Sequence, residues 1–264
     1  MSVRRDDAVK RRTVMKDYRG TALFVGALAS SGDGLITALR TFEALGVRGL
    51  GAATTVLASG RDGAIRHELP AECVAAQIQE ITAGAVGSVM VGTVDRENIV
   101  EPLAAALREI PNAKLVLDPF RMLQSGVPDS DKSTLEVVKG GLLPLATVAV
   151  FNSPEASLVS GLPIETEDAL QEAARCIADM GPVSVLVTGG RLDGQTVTDV
   201  LWHAGQAKVW HGPRLDSPRP VGLGDILSAA VAAELAAGSS IENAVDAALA
   251  FVRAQLGGDV SEVK

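Results

Sequence analysis

The chain has 264 residues, enough for one large α/β domain or two small ones with a sizeable core. Its hydrophobic content of 47% and its 27 glycines suit a globular protein, and a formal net charge of -8 argues against nucleic acid as the main partner. No apolar run reaches the length of a membrane span and the N-terminus has no signal-peptide core, so a cytoplasmic protein without a membrane partner is expected.

The two cysteines, Cys73 and Cys176, fall in helical patterns and form no metal-spaced pair; buried or half-buried free thiols are expected. His67, His203 and His211 are scattered, so no structural metal site is expected.

Residues 1–19 mix Arg4, Arg5, Lys10, Arg11, Arg12 and Lys16 with Asp6, Asp7 and Asp17, and offer little apolar surface to offset ordering entropy. A flexible extension is expected there, followed by a single domain over 20–264. Thr21 to Ala27 reads as a buried strand, then a small-residue loop Ser30-Ser31-Gly32-Asp33-Gly34, then a helix from Leu35 to Leu45. Leu50 to Ala58 is a second strand, running into a turn-rich loop from Ser59 to Gly63. Pro70 opens a helix to Ala83, where its missing N–H costs little.

Strand and helix then alternate: strand Ser88–Gly92, helix Arg96–Ile110, strand Lys114–Asp118, helix Ser133–Leu143, strand Thr147–Phe151. Asn152-Ser153-Pro154-Glu155 opens the next helix with Asn152 placed as its cap. An amphipathic helix covers Glu167–Met180, and strand Ser184–Val187 ends in Thr188-Gly189-Gly190. A hairpin over 198–211 and two helices, 224–237 and 240–256, close the chain. This alternation predicts an α/β fold, a mostly parallel sheet covered on both faces, with ligands at the carboxyl ends of the strands.

Four loops on that edge carry polar groups: Asp118, the Asn152/Glu155 pair, Thr188 to Gly190, and Gly222-Leu223-Gly224-Asp225. The last is a glycine-rich turn opening a helix, where unpaired N–H groups and the helix dipole favour an anion. Asp225 beside such a site makes sense as a proton acceptor. Taken singly, each has a plain structural alternative: an ordinary loop with a helix-start acid, a strand-end turn at Asp118, a cap at Asn152. Their joint occurrence in this order is what points to a site.

In these residues the chain resembles the hydroxymethylpyrimidine/phosphomethylpyrimidine kinase family of the ribokinase superfamily, over almost all of 21–257. The likeness runs through Thr41 to Val47, Val116-Leu117-Asp118-Pro119, Ser125-Gly126, Leu143 to Thr147, Asn152 to Ala156, Val185 to Gly190 and the Gly-x-Gly turn. The resemblance implies a ribokinase-like three-layer sandwich and ATP-dependent phosphorylation, with Mg2+, of a hydroxymethyl group on a small heteroaromatic alcohol. It carries Gly222 and Gly224 over as the anion hole, Asp225 as the base, and Glu155 and Asp118 as the metal side. Asn152, Thr188, Gly189, Gly190 and Leu223 carry over to the nucleotide, and Gly26, Leu28, Ser59 and Gly60 to the substrate. A homodimer is also expected.

The chain departs from that pattern in four places. Asp225 replaces a common cysteine, as in sugar kinases and one group of pyridoxal kinases, which the final two helices also resemble. Thr188 stands where a lysine is expected. The loop Gly26-Ala27-Leu28-Ala29-Ser30-Ser31 has lost the family's acid, and Ser59-Gly60 replaces a Gln-Asn pair. The alternatives are therefore a pyridoxal kinase, or a relative that binds ligand without phosphorylating it.

Overall fold

A computed structural model describes residues 17–60, 63–82, 84–94, 96–120, 132–215 and 222–257. Nine strands form one sheet in the order β3-β2-β1-β4-β5-β6-β7-β8-β9. They are β1 (Thr21–Ala29), β2 (Arg48–Gly60), β3 (Gly63–Glu68), β4 (Ser88–Val91), β5 (Lys114–Leu117), β6 (Val148–Asn152), β7 (Ser184–Thr188), β8 (Thr196–His203) and β9 (Gln206–Pro213). The strands from β2 through β7 in that order pair in parallel, and β3, β8 and β9 are antiparallel additions at the two edges. The helices are α1 (Leu35–Ala44), α2 (Ala71–Thr82), α3 (Val100–Arg108), α4 (Lys132–Gly141), α5 (Ser153–Ser160), α6 (Glu167–Ala178), α7 (Leu223–Ala236) and α8 (Ile241–Gln255).

The central strands read as unbroken apolar runs because both faces are covered. Successive residues point to opposite sides. Ala22 and Phe24 join Phe42 of α1 and the apolar residues of α7 and α8 in one core. Leu23 and Val25 join Val74 of α2, Leu103 of α3, Leu135 of α4 and Leu170 of α6 in the other. Helix, sheet, helix is the three-layer sandwich that the alternation predicts.

Helix α7 occupies the middle of its layer. Every residue from Leu227 to Leu235 is buried, and its many alanines let the backbone run close to the sheet. Ser88 Oγ donates to the Ala232 carbonyl at 2.7 Å, and a Cβ at Gly87 would sit 3.0 Å from the Ala236 oxygen. Near its C-terminus, Glu234 accepts a two-pronged contact from Arg19 at 2.8 and 3.0 Å. Arg19 therefore anchors the start of the domain, although it falls in the stretch expected to be a flexible extension; residues 1–16 lie outside the described part.

Several boundaries differ from the sequence expectation. β1 extends to Ala29, so Leu28 belongs to a strand, and Ser59 and Gly60 belong to β2, not to a loop. β2 turns directly into β3, with Ser59 opposite Ala64 and Gly60 opposite Gly63, a hairpin the sequence reading lacks. Its outer strand offers only Ala64 and Ile65 as apolar residues, and an edge strand with so little to bury leaves no alternating pattern. Cys73 is exposed and Cys176 half-buried, so only the second matches the expected thiol burial. Ser125-Gly126 and Pro220-Val221 lie outside the described residues. No helix among the described residues is long and apolar enough to cross a membrane.

Candidate active site

The loops that follow β5, β6 and β7 meet the start of α7 at the carboxyl edge of the sheet. Gly222 caps α7 in the left-handed conformation, φ 81°, which strains any residue with a Cβ. A Cβ there would also stand 3.1 Å from Asp33 Oδ1 and 3.7 Å from both Asp225 Oδ2 and Thr37 Oγ1. The turn thus brings two carboxylates from distant parts of the chain to one spot. Asp225, in the first turn of α7, accepts the Gly34 N–H through Oδ2 at 3.0 Å. Gly34 is itself left-handed, φ 62°, and a Cβ on it would collide with the Ala27 carbonyl. The β1–α1 loop is therefore folded back over the strand end, and this places its backbone N–H against Asp225.

Asp118 follows β5 directly, its N–H bonded to the Val91 carbonyl at 2.9 Å. Ser228, one turn beyond Asp225 on α7, donates to Asp118 Oδ2 at 2.7 Å. Gly224 lies beside the same oxygen, since a Cβ there would be 3.8 Å from it. Burial holds the Asp118 carboxyl well above the usual carboxylate range, the charges of Glu155 and Asp225 push the same way, and the Ser228 hydrogen bond opposes them.

Asn152 and Glu155 form a reciprocal capping box at the start of α5. Asn152 Oδ1 accepts the Glu155 N–H at 3.1 Å, while Glu155 accepts the Asn152 N–H at 3.0 Å and its Nδ2 at 2.6 Å. The cap expected at Asn152 is present, and it holds the buried Glu155 carboxylate close enough to raise Asp118. Among the described residues no group of three or more His, Cys, Asp or Glu side chains has the spacing to hold a metal ion.

Thr188 to Gly190 border a separate part of the edge. The Gly189 N–H donates to the Thr198 carbonyl at 2.9 Å and to Asp199 Oδ1 at 3.2 Å, and a Cβ at Gly189 would strike that carbonyl. Asp199 is 6% exposed, and burial lifts its carboxyl to about 6 against the opposing pull of the Gly189 N–H and Arg253. Arg214 gathers the loop beyond: its Nη1 donates to the Gly190 carbonyl at 2.8 Å, its Nε to Gly194 at 2.6 Å, and its Nη2 to Leu192. A cleft of about 170 Å³ runs from Thr188 and Asp199 past Leu249 and Arg253 to Leu223 and Gly224.

The structure thus brings Asp118, Glu155, Gly222, Gly224 and Asp225 together, with Thr188, Gly190 and Leu223 along the adjoining cleft. Gly26 and Leu28 stand apart. A Cβ at Gly26 would meet the Phe24 ring, and Leu28 bridges Gly34 across the folded-back loop. A second cavity of about 220 Å³ lies between β2, β4 and the start of α2, lined by Thr54, Thr55, Glu68, Thr93, Arg96 and Asn98 among others; neither Gly26 nor Leu28 reaches it.

Four residues with a place here escape the sequence reading: Asp33, Asp199, Arg214 and Ser228. A signal existed for Asp33, since Gly32-Asp33-Gly34 puts an acid between two glycines before a helix, where the α7 turn puts its acid just after them. Ser228 sits three residues after Asp225, on the same helix face.

A model of the phosphomethylpyrimidine kinase family matches residues 29–262. The chain belongs to that family. It is 30% identical over 248 residues to the hydroxymethylpyrimidine/phosphomethylpyrimidine kinase of Haemophilus influenzae, covering 92% of each chain. It is 31% identical to the pyridoxine kinase of Bacillus subtilis, covering 88% of each. The solved ADP complex of Bacillus subtilis pyridoxal kinase superimposes with a TM-score of 0.82 at 30% identity, covering 88% of this chain and 90% of that one. The ribokinase-like fold expected from the motifs is therefore the fold of the family.

Proposed function

We propose that this family member uses ATP to phosphorylate the hydroxymethyl group of hydroxymethylpyrimidine, or the phosphate already on that group in the monophosphate, the thiamine-precursor ring named in its relatives. The observation that carries the reading is the α7 turn, where two glycines, the helix N-terminus and Asp225 converge beside an open cleft. The backbone N–H groups at that turn suit a transferring phosphoryl group, because preorganised donors need no rearrangement as charge develops. Asp225 is positioned by the Gly34 N–H to take the hydroxyl proton. The cleft past Thr188, Gly190 and Leu223 takes the nucleotide, a reading supported by the ADP in the pyridoxal kinase relative.

Asp118, Glu155 and Asp225 are oxygen donors whose charges work against one another, which suits a hard cation. Lacking a three-ligand cage, they fit Mg2+ that arrives with ATP and is held through phosphates and water near Asp118 and Glu155. Such a cation neutralises phosphate charge during transfer. The chain's own residues hold the phosphoryl oxygens, orient the hydroxyl and accept its proton.

A pyridoxal-type ring is the second reading, favoured by Asp225 and by the likeness to the pyridoxal kinase structure. Val56 and Ile65, the latter 64% exposed on the β2–β3 hairpin, are apolar surface that a second copy would cover, which supports a homodimer. The deciding experiment incubates the protein and ATP·Mg with hydroxymethylpyrimidine, its monophosphate or pyridoxal, and reads products by mass spectrometry. Phosphate gain on a pyrimidine is expected. Gain on pyridoxal alone would establish the second reading, and no gain on any ring would favour a ligand-binding relative.

A further inference from the structure

Among the described residues, one cation lining the cleft has no hydrogen-bond or ion-pair partner. Arg253, near the end of α8, is 8% exposed and lines the cleft with Thr188, Gly190, Asp199 and Leu249. Its guanidinium lies flat against Gly212 of β9, in the space any Cβ at that position would fill. Only a glycine leaves that cradle open. Among the described residues the guanidinium has no hydrogen bond or ion pair; the nearby Asp199 carboxylate, turned to the Gly189 N–H, feels only its charge.

Two other arginines, one at the far end of α7 and one beside the cleft, are saturated in a way Arg253 is not. Arg19 is matched by Glu234, and Arg214 by three carbonyl oxygens. A guanidinium carries five N–H donors, and leaving them unmet away from water is expensive. Such a group persists where a ligand supplies the acceptors. Its neighbours on α8, Leu249 and Val252, and Leu256 beyond the helix, make the rest of this wall apolar, which strengthens any hydrogen bond formed there.

We propose that the Arg253 guanidinium, cradled by Gly212, is a nucleotide-binding group that donates to acceptor atoms of the nucleotide held in this cleft. The inference rests on the nucleotide reading of the cleft and deepens it by naming the residue that grips the ligand on the α8 side. The acceptors belong either to the purine or to the phosphates, and the ligand series below separates the two.

The test is calorimetric titration of ATP, ADP, AMP and adenosine, with magnesium, into the wild type, Arg253→Met and Gly212→Ala, alongside thermal unfolding without ligand. Arg253→Met should weaken ATP about 10- to 100-fold, the usual effect of losing a charge-assisted bond. Its ligand-free melting temperature should change little, because relief of a buried cation without hydrogen-bond acceptors offsets the lost attraction to Asp199. Gly212→Ala, which pushes the guanidinium off β9, should weaken ATP in the same direction while keeping the charge. A loss already present with adenosine assigns the contact to the purine; a loss beginning at AMP or ADP assigns it to phosphate. In turnover, KM for ATP should rise while kcat at saturating ATP changes little.

Unchanged ATP affinity in a folded Arg253→Met protein would overturn the inference and leave the kinase reading standing. A lower melting temperature with unchanged affinity would make Arg253 purely structural. Should Arg253→Met fail to fold, unaltered affinity in Gly212→Ala would overturn it. A wild type that binds no adenine nucleotide would sink both this and the kinase reading.

Discussion

Around Gly222 and Asp118 three loops and a helix start close in on one another, whereas around Leu28, which stands apart from them, and Ser59 there are only one folded-back loop and one edge hairpin. On the first side each polar group has a defined neighbour: Asp225 with Gly34, Asp118 with Ser228, Glu155 with Asn152. On the second, the main-chain shape is fixed by Gly26 and Gly34, while Leu28 and Gly60 bring no side-chain donors or acceptors. A phosphoryl group is the same in every kinase of a family, so the parts that hold it can be rigid and shared. A ring is what distinguishes one member from another. Discrimination is lost steeply when a hydrogen-bonding partner is missing. On the proposed kinase reading, the chain joins a tightly specified transfer edge to a sparsely specified recognition edge.

The largest expected effect tests the first side. Asp225→Asn keeps the size of the side chain and an acceptor for the Gly34 N–H, but removes the base. The turnover kcat should fall ~10²–10⁴-fold with ATP binding little changed. Steady-state kinetics on the ring substrate identified by mass spectrometry, with ATP affinity by calorimetry, checks it. Wild-type turnover in this variant would show that the enclosed side is not the transfer side.

A smaller effect is expected where the two sides meet. Asp33 belongs to the loop between β1 and α1, yet its Oδ1 lies beside Gly222, and Ser31 Oγ donates to Oδ2 at 3.0 Å. It returns to the loop an acid that the altered Gly26-to-Ser31 segment lacks. Asp33→Ala should raise the ring KM about tenfold, the loss of one hydrogen bond to a charged group, with kcat changed much less. A kcat defect as large as that of Asp225→Asn would erase the distinction between the two sides.

The layered fold was legible because buried parallel strands and amphipathic helices leave strong patterns. β1, β4, β5, β6 and β7 read as apolar runs since both faces are covered, and Asn152 to Glu155 read as a cap since capping has a local code. What escaped depends on distance along the chain. The Gly34–Asp225 bond joins residues 191 positions apart, and nothing local to either announces it. Asp199 and Arg253 look like ordinary surface charges in sequence, and become notable only when folding puts them against Gly189 and Gly212. The glycines were visible; the charged groups they make room for were not.

The smallest effect concerns what enclosure costs. Asp199 lines the cleft beside Thr188 and bonds the Gly189 N–H, but burial lifts its carboxyl from the ordinary 3.8 to about 6. A raised acid means that the folded protein holds its proton more tightly than the unfolded chain does. Between pH 4 and 6 the folded state therefore binds more protons, and stability falls as pH rises through that window. Below it both states are protonated and no penalty exists; above it the penalty is complete, on the order of 3 kcal/mol for a rise of this size. Asp199→Asn retains an acceptor for Gly189 and never ionises. Its melting temperature should match the wild type near pH 4 and exceed it increasingly up to pH 6, with a constant gap beyond. The gain at neutral pH should approach that full penalty, because a value of about 6 already includes the attraction of Arg253 for the ionised carboxylate. Thermal unfolding of both proteins from pH 4 to 8 reads this directly. Parallel curves across that range would show that Asp199 is not held protonated by its surroundings, and that the cleft is wetter than its packing implies.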